Sequence, residues 1–236
     1  LALKVMSREN YDDPWWTPLP FSLPMPEKKI ALLKKIEGLK IDPIISAELD
    51  IVAKRLEDLG WVIEEPKAPN FQEAAKFQAT LWLGEFRRTG GEAITKENDP
   101  DSNFIYSQMS RRCPDTSLEK FMDSLQQRAR ISREWNKFFD QYPIILCPIT
   151  GDVPFPDLKD LESEESFDLV FDSMLPQIAP PYMGLPGLSF ATSQTKQKIP
   201  LGVQFISRKF REDLLLNVGY DLENYYPKIE PVLPNF

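Results

Sequence analysis

A chain of 236 residues, 42% hydrophobic and 11% aromatic, carries enough apolar side chains for a substantial core and fits one large domain or two small ones. Its 28 basic against 36 acidic residues give a formal charge of −8, which argues against nucleic acid and anionic membrane as partners. It has no histidine, so a Ser-His-Asp or Cys-His site cannot be built from this chain alone.

Leu1 to Met6 opens inside an apolar run with no initiator methionine and no N-cap, and Leu1 therefore reads as a cut in a longer sequence. Residues 10–26, "NYDDPWWTPLPFSLPMP", hold five of the 22 prolines and two tryptophans. So many missing amide donors exclude a helix interior or central strand, leaving an extended connector pinned by its aromatics. Lys29 to Ile36 reads as a strand.

Asp42-Pro43 supplies an N-cap and a proline at the first helical position, and Ile45, Leu49, Val52, Leu56 and Leu59 follow at alternating spacings of four and three before Gly60. A short strand at Trp61-Val62-Ile63 completes a strand, helix, strand order typical of α/β domains. A second helix is expected from Asn70, capped with Glu73, through Phe77, Leu81 and Trp82 to about Arg88.

Residues 89–116 are polar and turn-rich, a surface excursion in which Gly90-Gly91 is a flexible turn and Cys113 a loop residue. Thr116 and Glu119 form a capping box for a long helix, with Leu118, Phe121, Met122, Leu125, Trp135, Phe138 and Phe139 on one face and an end near Tyr142. Ile144 to Ile149, "IILCPI", resembles a strand covered on both faces. A loop over 150–168, a short helix around Phe167 to Leu175, strands at Leu188–Thr192 and Leu201–Ser207 and a closing helix from Arg211 to Tyr225 finish the chain.

Several features invite a chemical reading. "GLPGLSFA" frames Ser189 as Gly-x-Ser-x-Ala, but here turn precedes strand, whereas a nucleophile elbow needs strand, turn and helix in that order. Ser189 is therefore expected to be a packed or hydrogen-bonded strand residue. Glu162, Glu164, Glu165 and Asp168 lack the alternating ligands and glycine of a calcium loop and read as a solvated charge run. Arg128, Arg130 and Arg133, with Arg111 and Arg112 upstream, could meet an anion, although a wet helix face explains them better. Cys113 and Cys147 are too few for a disulfide framework or a four-ligand zinc site and are expected as free thiols.

The order of motifs in the last third carries a resemblance. Cys147-Pro148 ending a strand, Gly184-Leu185-Pro186 before the next, Pro200-Leu201-Gly202-Val203-Gln204 and Glu212-Asp213-Leu214-Leu215 resemble, in that order, the C-terminal part of the amidase signature family. The segments "LALKVMS" and "DPIISAELDIVAKRLEDLGWVIEE" extend the similarity upstream over nearly the whole chain.

The resemblance implies an α/β fold, a mixed sheet flanked by helices, in which residues 1–236 are the C-terminal portion of an amidase domain with no separate second domain. It implies hydrolysis of carbon–nitrogen bonds by a Ser-cis-Ser-Lys triad, which needs no histidine, metal or cofactor. The positions that match the family here include no triad residue, so no catalytic residue is assigned and the chain alone is expected to be inactive. From the family pattern, Thr150, Ile178, Tyr182 and, more weakly, Trp82 are the substrate-binding candidates; core packing competes for each.

The expected partners are a small-molecule amide substrate, bound when the chain is joined to the N-terminal amidase half in cis or in trans, and further copies of the chain in a homo-oligomer. A non-catalytic amidase-like binding or scaffold protein is the alternative, and a stand-alone hydrolase using Ser189 a third reading. No apolar run approaches the roughly 20 residues needed to cross a bilayer and no signal-peptide pattern opens the chain, so neither a membrane nor a compartment beyond the cytoplasm is expected.

Overall fold

The structure is a computed structural model describing residues 2–114 and 116–226; Leu1, read above as a cut end, lies outside the described residues. The chain order is α1 (Ala2–Met6), β1 (Lys29–Leu32), α2 (Pro43–Asp58), β2 (Val62–Glu64), α3 (Phe71–Thr89), α4 (Gly91–Glu97), α5 (Pro100–Arg112) and α6 (Leu118–Gln141). It continues with β3 (Ile144–Pro148), a 3-10 turn (Lys159–Leu161), α7 (Glu164–Ser173), α8 (Leu175–Met183), β4 (Gly187–Gln194), β5 (Pro200–Ser207) and α9 (Glu212–Glu223). Among the described residues no helix is long and apolar enough to cross a membrane.

The strands form one mixed sheet in the order β2-β1-β3-β5-β4. β1 pairs in parallel with β2 and β3, whereas β5 is antiparallel to β3, with Ile144 opposite Ser207 and Pro148 opposite Val203. Central β3 is buried throughout, and its side chains alternate between two cores. Ile144 and Leu146 join Leu49, Val52 and Leu56 of α2 and Leu214, Val218 and Leu222 of α9. Ile145 and Cys147 join Phe71 of α3, Ile131, Trp135 and Phe139 of α6, and Ala179 and Tyr182 of α8.

The strong local signals hold. Asp42 accepts a hydrogen bond from Ile44 N at 2.7 Å, with Pro43 opening α2. The helix stops where Gly60 turns to φ +82°, with Gly60 N donating to Glu57 O at 2.9 Å and Trp61 N to Leu56 O at 3.0 Å. These paired bonds satisfy the last carbonyls and turn the chain into β2. Asn70 caps α3 through Gln72 N and Glu73 N.

Elsewhere the structure departs from expectation. Residues 89–116 are mostly helical: Asp99 accepts from Ser102 N at 2.7 Å and Pro100 starts α5, a cap that the polar composition obscured. Gly90-Gly91 is a break between α3 and α4, required because a Cβ on Gly90 would lie 2.5 Å from the Phe86 ring and one on Gly91 2.7 Å from Tyr106 Oη. The cap of α6 is Ser117, one residue after Thr116, whose hydroxyl instead accepts from Arg87 at 2.9 Å. The apolar face of α6 is buried only in its second half: Trp135 and Phe139 are in the core, while Leu118, Met122 and Leu125 are exposed.

α8 is the largest surprise, because Pro180 and Pro181 lie inside it. Pro180 has no N–H to offer Pro176 O, and that carbonyl instead accepts from Gln204 Nε2 of β5 at 3.0 Å. A tertiary hydrogen bond and near-complete burial thus hold a helix that local propensity opposes. The connector over 10–26 contains no helix or strand, and its aromatics pin it only in part: Tyr11 and Trp15 are exposed, whereas half-buried Trp16 donates its indole N–H to Ser7 O at 3.2 Å. Its backbone is held as well, by Leu23 N donating to Asp213 and Arg211 donating to Pro24 O, both at 3.3 Å. Burial opposes the Asp213 charge, but Arg211 and the Leu23 amide prevail and hold the carboxyl below its ordinary range.

Candidate functional site

The helices over the Tyr182 face do not close completely. α3 runs along α8 and α6, while α5 and α7 lean over its outer side, leaving two cavities separated by Trp82, Leu83 and Met109. The inner cavity, about 410 Å³, is walled by Leu83, Leu175, Ile178 and Phe171, with Thr80 and Cys113 at its base and Lys76, Lys120 and Arg112 around it. The outer one, about 550 Å³, lies between α3, α4, α5 and the 3-10 turn.

Local structure explains the inner walls. Arg87 fastens the α3, α5 and α6 junction by donating to Thr116 Oγ1 at 2.9 Å, Cys113 O at 2.7 Å and Ser110 O at 3.4 Å. Cys113, expected in a polar loop, is consequently buried at the end of α5 with its Sγ 3.7 Å from Thr80 Oγ1. Asp168 accepts from both Arg111 and Arg112 at 2.6 Å, tying α7 to α5; burial opposes its charge, yet the two guanidiniums hold its carboxyl below the usual range. Arg112 also pairs with Asp172.

The acidic run is therefore not simply solvated. Ser163 caps α7, Asp168 braces two arginines and Glu162 pairs with Lys159. The arginines likewise do not form one cluster, since Arg130 is taken by Glu73 and Glu134 on α3 and α6, away from Arg111 and Arg112.

The four sequence candidates are divided. Ile178 lines the inner cavity and Trp82, 55% exposed, lines both. Thr150 lies beyond the end of β3, donating its hydroxyl to Asp152 O at 2.7 Å and lining a separate cavity of about 290 Å³ with Ile149, Phe155 and Met174. Gly151 beside it cannot carry a side chain, because a Cβ would meet Lys40 O at 2.3 Å. Tyr182 is fully buried, donates to Ser124 O and stacks with Phe77; burial pushes its hydroxyl up to about 12. It lines none of these cavities.

Ser189 is exposed on edge strand β4, which corrects its expected packing: beyond β4 the sheet has no further strand among the described residues. Cys147, by contrast, has no exposure, and burial pushes its thiol up to about 12, leaving it protonated and unreactive at neutral pH. Lys76, Thr80 and Lys120 were not singled out in the sequence, and Cys113 was read there only as a free thiol in a loop. The four-residue spacing of Lys76 and Thr80 puts them on one side of α3, but nothing local brings Cys113 and Lys120 to them.

A family model described as Amidase matches residues 1–216. The chain belongs to the amidase family. Among its relatives in this family, the indoleacetamide hydrolase of Bradyrhizobium diazoefficiens is 29% identical over 227 residues, covering 95% of this chain and 43% of the relative. One component of the glutamyl-tRNA(Gln) amidotransferase of Desulforapulum autotrophicum is 26% identical, covering 88% of this chain and 46% of that protein. The chain thus spans about half the length of the curated relatives it matches. The solved structure of 6-aminohexanoate cyclic dimer hydrolase shares the fold, with a TM-score of 0.73 at 16% identity over 94% of this chain and 51% of that one.

Proposed function

We propose that this chain is the C-terminal portion of an amidase-signature hydrolase acting on a small aromatic amide, with the Ser-cis-Ser-Lys triad supplied by further polypeptide in cis or in trans. The observation that carries this reading is the match to an indoleacetamide hydrolase across 95% of this chain but only 43% of that enzyme. The hydroxyls of Ser107, Ser124 and Ser173 donate to carbonyl oxygens and that of Ser193 to Glu48, so their protons are committed to oxygen acceptors rather than to a lysine amine. Exposed Trp15 and Leu118 support burial against additional chain, whether the missing half or a second copy.

In this reading the chain binds and shields the substrate while the nucleophile arrives from outside it. Ile178, Leu175, Leu83 and Phe171 give the inner cavity apolar walls suited to an aromatic ring. Lys76 and Lys120 suit the carboxylate that amide hydrolysis leaves. Trp82 at the shared wall limits water entry, and Thr150 holds the loop beyond β3.

The test is hydrolysis of indole-3-acetamide by the chain alone and by the chain joined to the polypeptide encoded upstream. Turnover only by the joined protein is expected. Equal turnover by the chain alone would overturn the division of labour. A joined protein inert towards a panel of primary and aryl amides would leave the non-catalytic scaffold as the better reading.

A further inference from the structure

The outer cavity is not accounted for by amide cleavage. Its walls are Phe86, Ile94, Ile105 and Tyr106, with Trp82 and Leu158 exposed at its edge. Asp101 and Asp160 are its carboxylate-bearing lining residues, and neither has an ion-pair or hydrogen-bonding partner for its carboxylate among the described residues. The nearby basic groups are committed elsewhere: Lys96 to Glu92, Lys159 to Glu162, and Arg111 to Glu164 and Asp168. The inner cavity has the opposite character, with Lys76, Lys120 and Arg112 against Asp172 alone.

Two structural features maintain the outer cleft. Gly90 and Gly91 let Phe86 and Tyr106 meet edge to face, their ring centroids 5.6 Å apart, because a Cβ at either glycine would strike one of those rings or its hydroxyl. Leu158 holds φ +57° immediately before the 3-10 turn, a backbone conformation that a branched apolar residue seldom adopts, and its side chain lines the cleft.

We infer that this cleft binds an amphiphilic organic cation, an aryl- or alkylammonium whose apolar body lies against Phe86, Ile105 and Tyr106 while its charge meets Asp101 and Asp160. An apolar wall with unpaired carboxylates and aromatic faces favours such a ligand over a neutral or anionic one of equal size through Coulombic and cation–π attraction. Binding here does not depend on where the amide is cleaved.

The test is calorimetric titration of the full-length protein with 2-phenylethylammonium, 2-phenylethanol and 3-phenylpropionate at neutral pH. The ammonium is expected to bind about tenfold more tightly than the alcohol, the carboxylate more weakly still, with the advantage shrinking at about 0.5 M salt. In the double variant Asp101→Asn and Asp160→Asn the ammonium should fall to the affinity of the alcohol, while alcohol binding is unchanged. Ile105→Trp, which fills the cleft, should remove binding of both. Equal binding of ammonium and alcohol by the unaltered protein, absence of ammonium binding, or an undiminished ammonium advantage in the double variant would each overturn the inference. These readouts are independent of amide turnover, so failure here and failure of the amidase reading remain distinguishable.

Discussion

The two faces of the sheet are built to different standards. Against α2 and α9, the buried side chains of β1, β3 and β5 meet Leu49, Leu56, Leu214 and Val218 directly in one apolar layer. On the other face, α3, α6 and α8 form a first layer, but α5 is fastened to it through Arg87 and α7 to α5 through Arg111 and Arg112, leaving two cavities. The first face is packed without a gap; the second gives up close packing for cavity volume.

The largest test of this contrast compares equal truncations. Leu49→Ala should cost about 4 kcal/mol in urea unfolding, because a sealed layer cannot collapse around the gap, whereas Leu83→Ala should cost about 2 kcal/mol, because Leu83 already borders both cavities. Equal losses would erase the distinction.

Alkaline pH should strain the second face next. Cys147 and Tyr182 both have folded pKa values raised to about 12 by burial, so their neutral forms are favoured in the fold. That stability is intact below the unfolded thiol and phenol values of about 8.5 and 10, and is lost as pH rises through the folded values. Cys147→Val should reduce the slope of unfolding midpoint against pH above about 9; an unchanged slope would remove Cys147 from the account.

A smaller effect is expected where α5 meets α7. Asp168→Asn should cost about 1 kcal/mol, since its one-third exposure screens the arginine pair, and should loosen the inner cavity. Because the Asp168 pKa is lowered, its contribution is present above about pH 4 and disappears as acid protonates it; the variant should therefore flatten the acid limb of the stability profile. Trp82→Ala should have the least effect on unfolding, within about 0.5 kcal/mol given its exposure, while changing ligand affinity at the shared wall. A loss above about 1 kcal/mol would make Trp82 structural.

The legible parts of the fold were those whose signals are complete within a few residues. Asp42-Pro43 through Gly60 carries its own cap, apolar stripe and stop, and residues 144–149 carry the continuous apolar run of a strand covered on both sides. The misread parts depend on distant partners. Gln204 replaces the hydrogen bond missing at Pro180, and Asp168 secures Arg111 and Arg112 across 57 and 56 residues of sequence. The candidate site was only partly legible for the same reason: Ile178 and Trp82 meet one cavity, Thr150 another, and Tyr182 is turned into the core.

The sequence by itself determined the α/β class, the family and the lack of any histidine in this chain, because motif order, periodicity and composition need no knowledge of distant contacts. Only the tertiary structure decided which polar residues face a cavity, that Ser189 stands exposed on an edge strand, and that the outer cleft is acidic while the inner one is basic. Burial and electrostatic environment are properties of neighbours in space, and those neighbours are joined here by hydrogen bonds and ion pairs spanning tens of residues.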